Sequence, residues 1–383
     1  MSKAEELFHK AYSLSPERLM KSHGRLEILG NHTDHNHGYC LVAGSRMGIY
    51  AAFSPLEGMV EVVSEGYAPF SFSISDLSAK EGEKGKSIAL TRGVLARMKD
   101  LGYPIGGFRA ALTSNIFPGA GVSSSAAYES LIVGIENVLY DGGKVPPMDM
   151  AKIGQFAERE YFGKPCGLLD QIGTSFGDID FLDLADIDSP RVEKLSFGLD
   201  LSLVLVNPGG SHAGLTDLYA QIPADMKQVA HYFGKEYLRD VDPKRFEAEA
   251  GSLPLPKRAV DRAKHFFGEN QRVLLAKKAI LEGDEPLFLE AVRGTRLSCS
   301  ALLKNTMLEG HYEGSPEECC DYAEKNLYGG ACRAMGGGFV GSVLCFVPKK
   351  HKDEFMAYMA KRYGASNVIA EGIAPGGPSL IQE

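Results

Sequence analysis

Near position 120 the chain passes from a strand-like segment, Phe108–Ser114, through a run of very small residues into an apolar helical stretch. Residues 124–139 place Leu131, Ile135 and Val138 on one helical face. The run between is Gly119-Ala120-Gly121-Val122-Ser123-Ser124-Ser125-Ala126. Glycines let main-chain N–H groups close around an anion, and the helix that follows turns its positive dipole end to the same point. Three serine hydroxyls add donors and an oxygen ligand for Mg²⁺. Together these eight residues read as a phosphate-binding loop, ahead of the plain alternative of a flexible turn with a serine N-cap.

Other glycine-rich segments fit phosphate binding less well. Gly82-Glu83-Lys84-Gly85-Lys86-Ser87 has two residues between its glycines where a P-loop needs four. Gly336-Gly337-Gly338-Phe339-Val340-Gly341 satisfies the dinucleotide pattern, but the strand-like Ser342-Val343-Leu344-Cys345-Phe346-Val347 follows it instead of preceding it. That run reads as a tight loop abutting something.

A chain of 383 residues is long enough for about two domains. A new strand begins after the Asp188-Ser189-Pro190 turn, so the boundary is expected near Leu195, dividing the chain into 1–195 and 196–383. Helices are expected at 4–12, 86–101 and 147–161, and strands at 38–45, 48–53, 59–63 and 201–206. The charged, proline-broken stretch 239–256 reads as a surface connection. With 41 basic and 49 acidic side chains the formal charge is −8, which excludes a global basic footprint for nucleic acid. The first residues carry charges where a secretory signal would need an apolar run, so none is expected; no apolar run is long enough to span a bilayer, and seven cysteines contain no Cys-x-x-Cys pair. A cytoplasmic, reducing location is expected, where the triplet Asn31-His32-Thr33 would not be glycosylated.

Two further segments carry chemistry. His23-Gly24-Arg25-Leu26-Glu27-Ile28-Leu29-Gly30-Asn31-His32-Thr33-Asp34-His35-Asn36-His37-Gly38 is densely polar. Asn31, His32 and Asp34 suit a polyhydroxylated ligand, and Arg25, always charged, suits charge stabilisation. A metal site of His32, His35, His37 and Cys40 is the competing idea, though its spacing matches no familiar zinc pattern. For His35 and His37 a solvated loop is favoured. In the second segment, Glu158-Arg159-Glu160-Tyr161-Phe162-Gly163-Lys164-Pro165-Cys166-Gly167-Leu168-Leu169-Asp170-Gln171, Asp170 follows two leucines and suits accepting a hydroxyl proton. Glu158 suits Mg²⁺ together with a serine of the loop. Each acid alone is as easily a helix cap or surface charge. Cys166 reads as buried, without a partnered His nearby in sequence.

In order and spacing, these segments resemble the galactokinase branch of the GHMP kinases over nearly the whole chain. Gly24–Asp34 is similar to the galactokinase signature, 119–126 to the family's phosphate loop, 165–171 to the segment with its catalytic aspartate, and 336–342 to its glycine-rich third motif. The resemblance implies an α+β, two-domain GHMP kinase fold: a ribosomal protein S5 domain 2-like N-terminal domain and a ferredoxin-like C-terminal domain, with ATP and substrate in the cleft between them. It implies transfer of the ATP γ-phosphoryl group to the anomeric hydroxyl of a sugar, with Mg²⁺. Asp170 then matches the base, Arg25 its charge-stabilising neighbour, and Glu158 and Ser125 the metal ligands. Asn31, His32, Asp34, Gly167 and Tyr219, the last in His212-Ala213-Gly214-Leu215-Thr216-Asp217-Leu218-Tyr219, match sugar contacts. The partners implied are a small sugar and ATP, without nucleic acid or membrane, in a monomer or weak homo-oligomer.

Departures from the family pattern carry information. Galactokinases usually have Glu at the place of Asn31, Asn at that of Glu27, Tyr at that of His35 and Gly at that of Val340. An amide at position 31 removes a negative charge and offers N–H donors. Galacturonate, with its C6 carboxylate, is therefore expected to compete with galactose as substrate. A non-catalytic sugar and nucleotide sensor is the other alternative, set behind catalysis because Arg25, Glu158 and Asp170 are all present.

Overall fold

The computed structural model describes residues 2–117, 119–210 and 214–382. The chain opens with α1 (Lys3–Tyr12), started by a reciprocal capping box between Ser2 and Glu5 and ended with His9 and Lys10 in its last turn. The first half then contributes β1 (Arg18–Leu29), β2 (Tyr39–Pro55), β3 (Met59–Ser64), β4 (Phe70–Ser73), α2 (Ser87–Asp100), β5 (Phe108–Ser114), α3 (Ser124–Tyr140), α4 (Pro147–Phe156), α5 (Leu169–Phe176), β6 (Ile179–Asp183) and β7 (Arg191–Leu195). The second half contributes β8 (Leu201–Val206), α6 (Thr216–Tyr232), α7 (Pro243–Glu249), α8 (Lys257–Glu282), α9 (Glu285–Ser298), α10 (Pro316–Glu324), β9 (Ala331–Ala334), β10 (Val343–Pro348), α11 (Lys352–Tyr363), β11 (Val368–Glu371) and β12 (Ser379–Leu380).

Two sheets organise these elements, a mixed α+β architecture. Among the described residues the first sheet runs β12-β1-β2-β5-β3-β4, with β6 on β2 and β7 on β6; the second runs β11-β8-β10-β9. Only β3 and β5 pair in parallel, and every other pair is antiparallel. The change of sheet falls between β7 and β8. β12 is the exception, because the C-terminal chain returns to pair Leu380 with Met20 on β1. We propose Leu195 as the domain boundary, with that return strand crossing it.

Two local expectations are corrected. The two strands expected at 38–45 and 48–53 are one 17-residue strand, β2. It stays unbroken because its first part pairs with β6 and its second with β5 while β1 lines the opposite edge. The first part of the polar signature, for which no element was expected, lies in β1, a strand buried from Ser22 onward. Its polar side chains break the alternation that marks a strand because they find partners inside the protein. The stretch expected to be a surface connection forms α7, capped by Asp242, with Leu238, Val241 and Phe246 buried beneath it.

One apolar cluster crosses between the halves. Leu26 and Ile28 of β1 and Val122 of the glycine-serine loop pack with Leu203 and Leu205 of β8, Val273 and Ala276 of α8, and Leu344 and Phe346 of β10. A shared core couples the unfolding of its two sides. Leu26→Ala is expected to lower stability by about 2–5 kcal/mol. Denaturant unfolding should remain a single transition by fluorescence and circular dichroism alike, and two separate transitions would contradict the coupling.

Candidate active site

The site grows from the end of β1. At Gly24 an added Cβ would lie 2.6 Å from the carbonyl oxygen of Val122, so only glycine lets the phosphate loop approach this closely. Next to it, the Arg25 N–H donates to that Val122 oxygen at 2.9 Å. The Arg25 guanidinium, nearly removed from solvent, donates through Nη1 to Gly121 O at 2.5 Å and through Nε to Asp170 Oδ1 at 2.7 Å. One side chain thus joins β1, the glycine-serine loop and the first turn of α5.

The other Asp170 oxygen accepts from Ser123 Oγ at 2.8 Å. Ser123 stands at the N-cap of α3 with φ +56°, yet its hydroxyl does not cap that helix. The first N–H groups of α3 are left for an anion. Burial pushes the Asp170 carboxyl up, but Arg25, Lys164 and the Ser123 hydroxyl outweigh it and hold the group below its ordinary value. Asp170 is therefore an anion at neutral pH.

Ser124 faces solvent, and Ser125 Oγ donates to Glu158 Oε1 at 2.9 Å. The three serines are thus distinguished: one on Asp170, one exposed, one on Glu158. The helix expected over 147–161 is α4 only to Phe156. It continues as a π-helical turn, Ala157–Phe162, that carries Glu158 into the interior at 1% exposure. Glu158 Oε1 also accepts from Lys164 Nζ at 2.9 Å, and Oε2 from Gln171 Nε2 at 2.8 Å. The same Gln171 nitrogen reaches Glu129 at 3.1 Å. Burial and the charge of Glu158 push the Glu129 carboxyl well up, favouring its neutral form.

The remaining signature residues gather opposite, against the third glycine motif. His32 Nε2 meets Gly337 O at 3.0 Å, while its Nδ1 is buried without a protein partner among the described residues. Burial, then the neighbouring His35, hold the His32 ring down to about 4, so it is neutral. Asp34 Oδ1 accepts from the His35 N–H at 2.9 Å. Its Oδ2 lies so close to Gly167 that a Cβ there would come within 1.9 Å. Tyr219 lays its ring against Gly337 and donates from its hydroxyl to Gly338 O at 3.2 Å. His212 and Ala213, which precede it, lie outside the described residues. Ser342 of the third motif closes on the phosphate loop by donating to Gly119 O at 3.1 Å.

The Asn31 amide is engaged inside the protein. Its Nδ2 donates to Glu27 Oε1 at 2.8 Å and to Gly336 O at 2.6 Å, and its Oδ1 accepts from Asn305 Nδ2 at 2.8 Å. Both amide hydrogens are engaged, and none is left for a C6 carboxylate. Glu27 in turn pairs with fully buried Arg333, whose Nη1 also donates to Glu27 O at 2.6 Å and Ile28 O at 3.1 Å. We propose that Asn31 fastens the signature to the third motif and acts on the sugar only through that support.

The four candidate zinc ligands do not converge. His37 stacks on Tyr237 with centroids 3.7 Å apart, Cys40 Sγ lies 3.2 Å from Thr33 Oγ1, and His35 faces Asp34. No group of three or more His, Cys, Asp and Glu suited to a metal occurs among the described residues. Burial and Glu158 push the Cys166 thiol up, away from a thiolate nucleophile. Sequence reasoning overlooked Lys164, Gln171, Glu129, Asn305 and Arg333. Lys164 and Gln171 stood inside a motif already singled out, whereas Asn305 and Arg333 carry no local signal.

Comparison with known proteins fits this geometry. The galactokinase galactose-binding signature matches residues 6–55, and the GHMP kinases N terminal domain matches residues 89–178. A galactokinase of Pyrococcus furiosus is 30% identical over 86% of this chain and 89% of its own. The chain belongs to the galactokinase family. A galactokinase of Actinobacillus pleuropneumoniae is 29% identical over 96% of this chain and 95% of its own. In fold, the chain is similar to Lactococcus lactis galactokinase complexed with galactose, with a TM-score of 0.84 at 23% identity, covering 98% of each chain. The shared architecture is the two-domain GHMP kinase fold.

Within this galactokinase-family chain, position 31 offers a direct check. Asn31→Glu sets a second carboxylate against Glu27 in a buried site and should cost about 3–5 kcal/mol. Adding Glu27→Asn removes that repulsion and leaves Arg333 one nearby carboxylate instead of none, so the double variant should regain at least about 1 kcal/mol over the sum of the singles. Denaturant titration of the four proteins measures this coupling, and strict additivity would contradict the proposed network.

Proposed function

We propose that the chain is an ATP-dependent sugar 1-kinase that transfers the γ-phosphoryl group of ATP to the anomeric hydroxyl of galactose. The observation that carries this reading is Asp170, held between Arg25 Nε and Ser123 Oγ at the entrance of α3. A carboxylate there meets the sugar from one side, while the N–H groups of α3 and the loop 119–126 meet phosphate from the other. His32, Asp34, Gly167 and Tyr219 line the sugar side in this proposal.

Phosphoryl transfer passes through a loose transition state, so positioning and charge stabilisation matter more than a strong base. Asp170 is a weak base because its partners keep it ionised. It orients the anomeric O–H and takes its proton once the oxygen–phosphorus bond is forming. Arg25 holds that carboxylate in place and spreads its positive charge toward Gly121 and the loop. Mg²⁺ belongs to the proposal as well. It takes oxygen ligands and is held by one or two carboxylates together with phosphates, and the Ser125–Glu158 pair beside the α3 N-terminus fits that donor set. When bound, it would neutralise phosphate charge. The same proposal takes in a cytoplasmic setting and action as a monomer or weak homo-oligomer. Among the described residues no helix is long and apolar enough to cross a membrane.

Galactose is preferred to galacturonate because Asn31 has no free N–H to receive a carboxylate. In a coupled assay for ADP release, kcat/KM should favour galactose over galacturonate by at least about 100-fold. A preference for the acid would overturn this part of the proposal. Asp170→Asn should lower kcat by about 100-fold or more with sugar binding retained. Because the folded Asp170 value is depressed, its pairing stabilises the protein above the unfolded carboxylate value, and this is lost as pH falls through the folded one. The acid limb of kcat/KM should thus contain no group titrating near neutrality that disappears in Asp170→Asn.

A further inference from the structure

Lys164 sits at the mouth of the site and is given no task by the steps above. Its backbone is fixed: the Lys164 N–H donates to Glu158 O at 3.0 Å, closing the π-helical turn, Gly163 reverses the chain at φ +85°, and Pro165 follows. Its side chain is not fixed in the same way. The Lys164 side chain is 55% exposed, while that of Glu158, its partner, is 1% exposed. A flexible four-carbon stem therefore reaches inward from the lip to a deep carboxylate.

The ammonium shares Glu158 Oε1 with Ser125 Oγ, each at 2.9 Å, so it stands beside the first turn of α3 where phosphate is expected. Its charge is also felt at Asp170 and at the Tyr219 hydroxyl, which places it among the groups facing the reacting atoms. Arg25 already spends its charge on Asp170 and Gly121. A divalent cation entering at Ser125 and Glu158 would bring like charge against the ammonium, which among the described residues has this one hydrogen bond to give up.

We propose that Lys164 is a phosphate-contacting catalytic residue, turning its ammonium from Glu158 to a non-bridging oxygen of the transferring phosphoryl group when metal and nucleotide enter. This rests on the sugar-kinase reading of the site. Lys164 stays protonated throughout. The proton leaves the anomeric oxygen for Asp170, the new oxygen–phosphorus bond forms, the bond from the γ-phosphorus to the ADP oxygen breaks, and ADP leaves with its electron pair. As a compact, mobile cation on a long stem, lysine suits a charge that must change partners.

The test compares wild type, Lys164→Met, Lys164→Gln and Lys164→Arg, each first shown to melt like wild type. Titration calorimetry with MgATP and with MgADP, without sugar, reads contact with the terminal phosphate independently of turnover. The expected result is a loss of about 10-fold or more in ATP affinity with ADP affinity nearly unchanged, partly restored in Lys164→Arg. With Mg²⁺ and galactose, Lys164→Met should lower kcat by about 30-fold to 1,000-fold while the galactose KM moves little. Should Lys164→Met fail to fold, Lys164→Gln is read in its place. An unchanged ratio of ATP to ADP affinity together with kcat within about 3-fold of wild type would overturn the proposal. If wild type phosphorylates no sugar, the functional reading fails, and the affinity ratio still decides the role of Lys164.

Discussion

Arg25 carries a guanidinium out of solvent at the middle of β1, and three separate pieces of chain are fastened to it. Its amide holds Val122, one guanidinium nitrogen holds Gly121, and another holds Asp170. A buried arginine without such partners would cost several kcal/mol, so the loop and α5 are drawn to it as much as it to them. The same contacts fix where the Asp170 carboxylate points and where the α3 N-terminus opens. Stability and chemistry therefore share one group here, and the distance between carboxylate and phosphate loop is set by a single planar side chain.

Behind this centre lies a second layer of buried polar contacts that ties the halves together. Glu27 and Arg333 form an ion pair inside the protein, and Asn31 extends it to Gly336 and Asn305. Glu269 of α8 accepts from the Gly30 N–H at 2.9 Å, and His265 meets Asn31 O at 3.0 Å. Such a network contributes little net energy when complete and costs a great deal when half removed. Its effect is to give the signature turn one position relative to the third glycine motif. His32 and Asp34, proposed above to line the sugar side, inherit that position.

Local motifs made the cluster legible: Arg25, the run 119–126, Glu158 and Asp170 each stand in a short segment singled out by its composition, and the fold brings them into contact. The strand that carries Arg25 was not legible, because polar residues satisfied by distant partners erase the alternation that would mark it. The partners of Asn31 were hidden for the same reason. Its partners Gly336 and Asn305 lie 305 and 274 positions away, and an amide with unknown partners looks free. The bend that buries Glu158 depends on a π-helical turn, which no simple period announces. The α3 and β8 segments were legible because their own apolar residues, helically spaced in one and continuous in the other, set the pattern.

The central claim is geometric: the carboxylate held by Arg25 and Ser123 faces the anomeric oxygen, and the α3 N-terminus faces the γ-phosphate. A crystal structure of the protein with galactose and a non-hydrolysable ATP analogue measures both at once. The account predicts the anomeric oxygen within hydrogen-bond distance of Asp170, with the terminal phosphate between Ser123 and Ser125 and in line with that oxygen. A sugar bound with its C6 end at Asp170, or a terminal phosphate held away from α3, would contradict it.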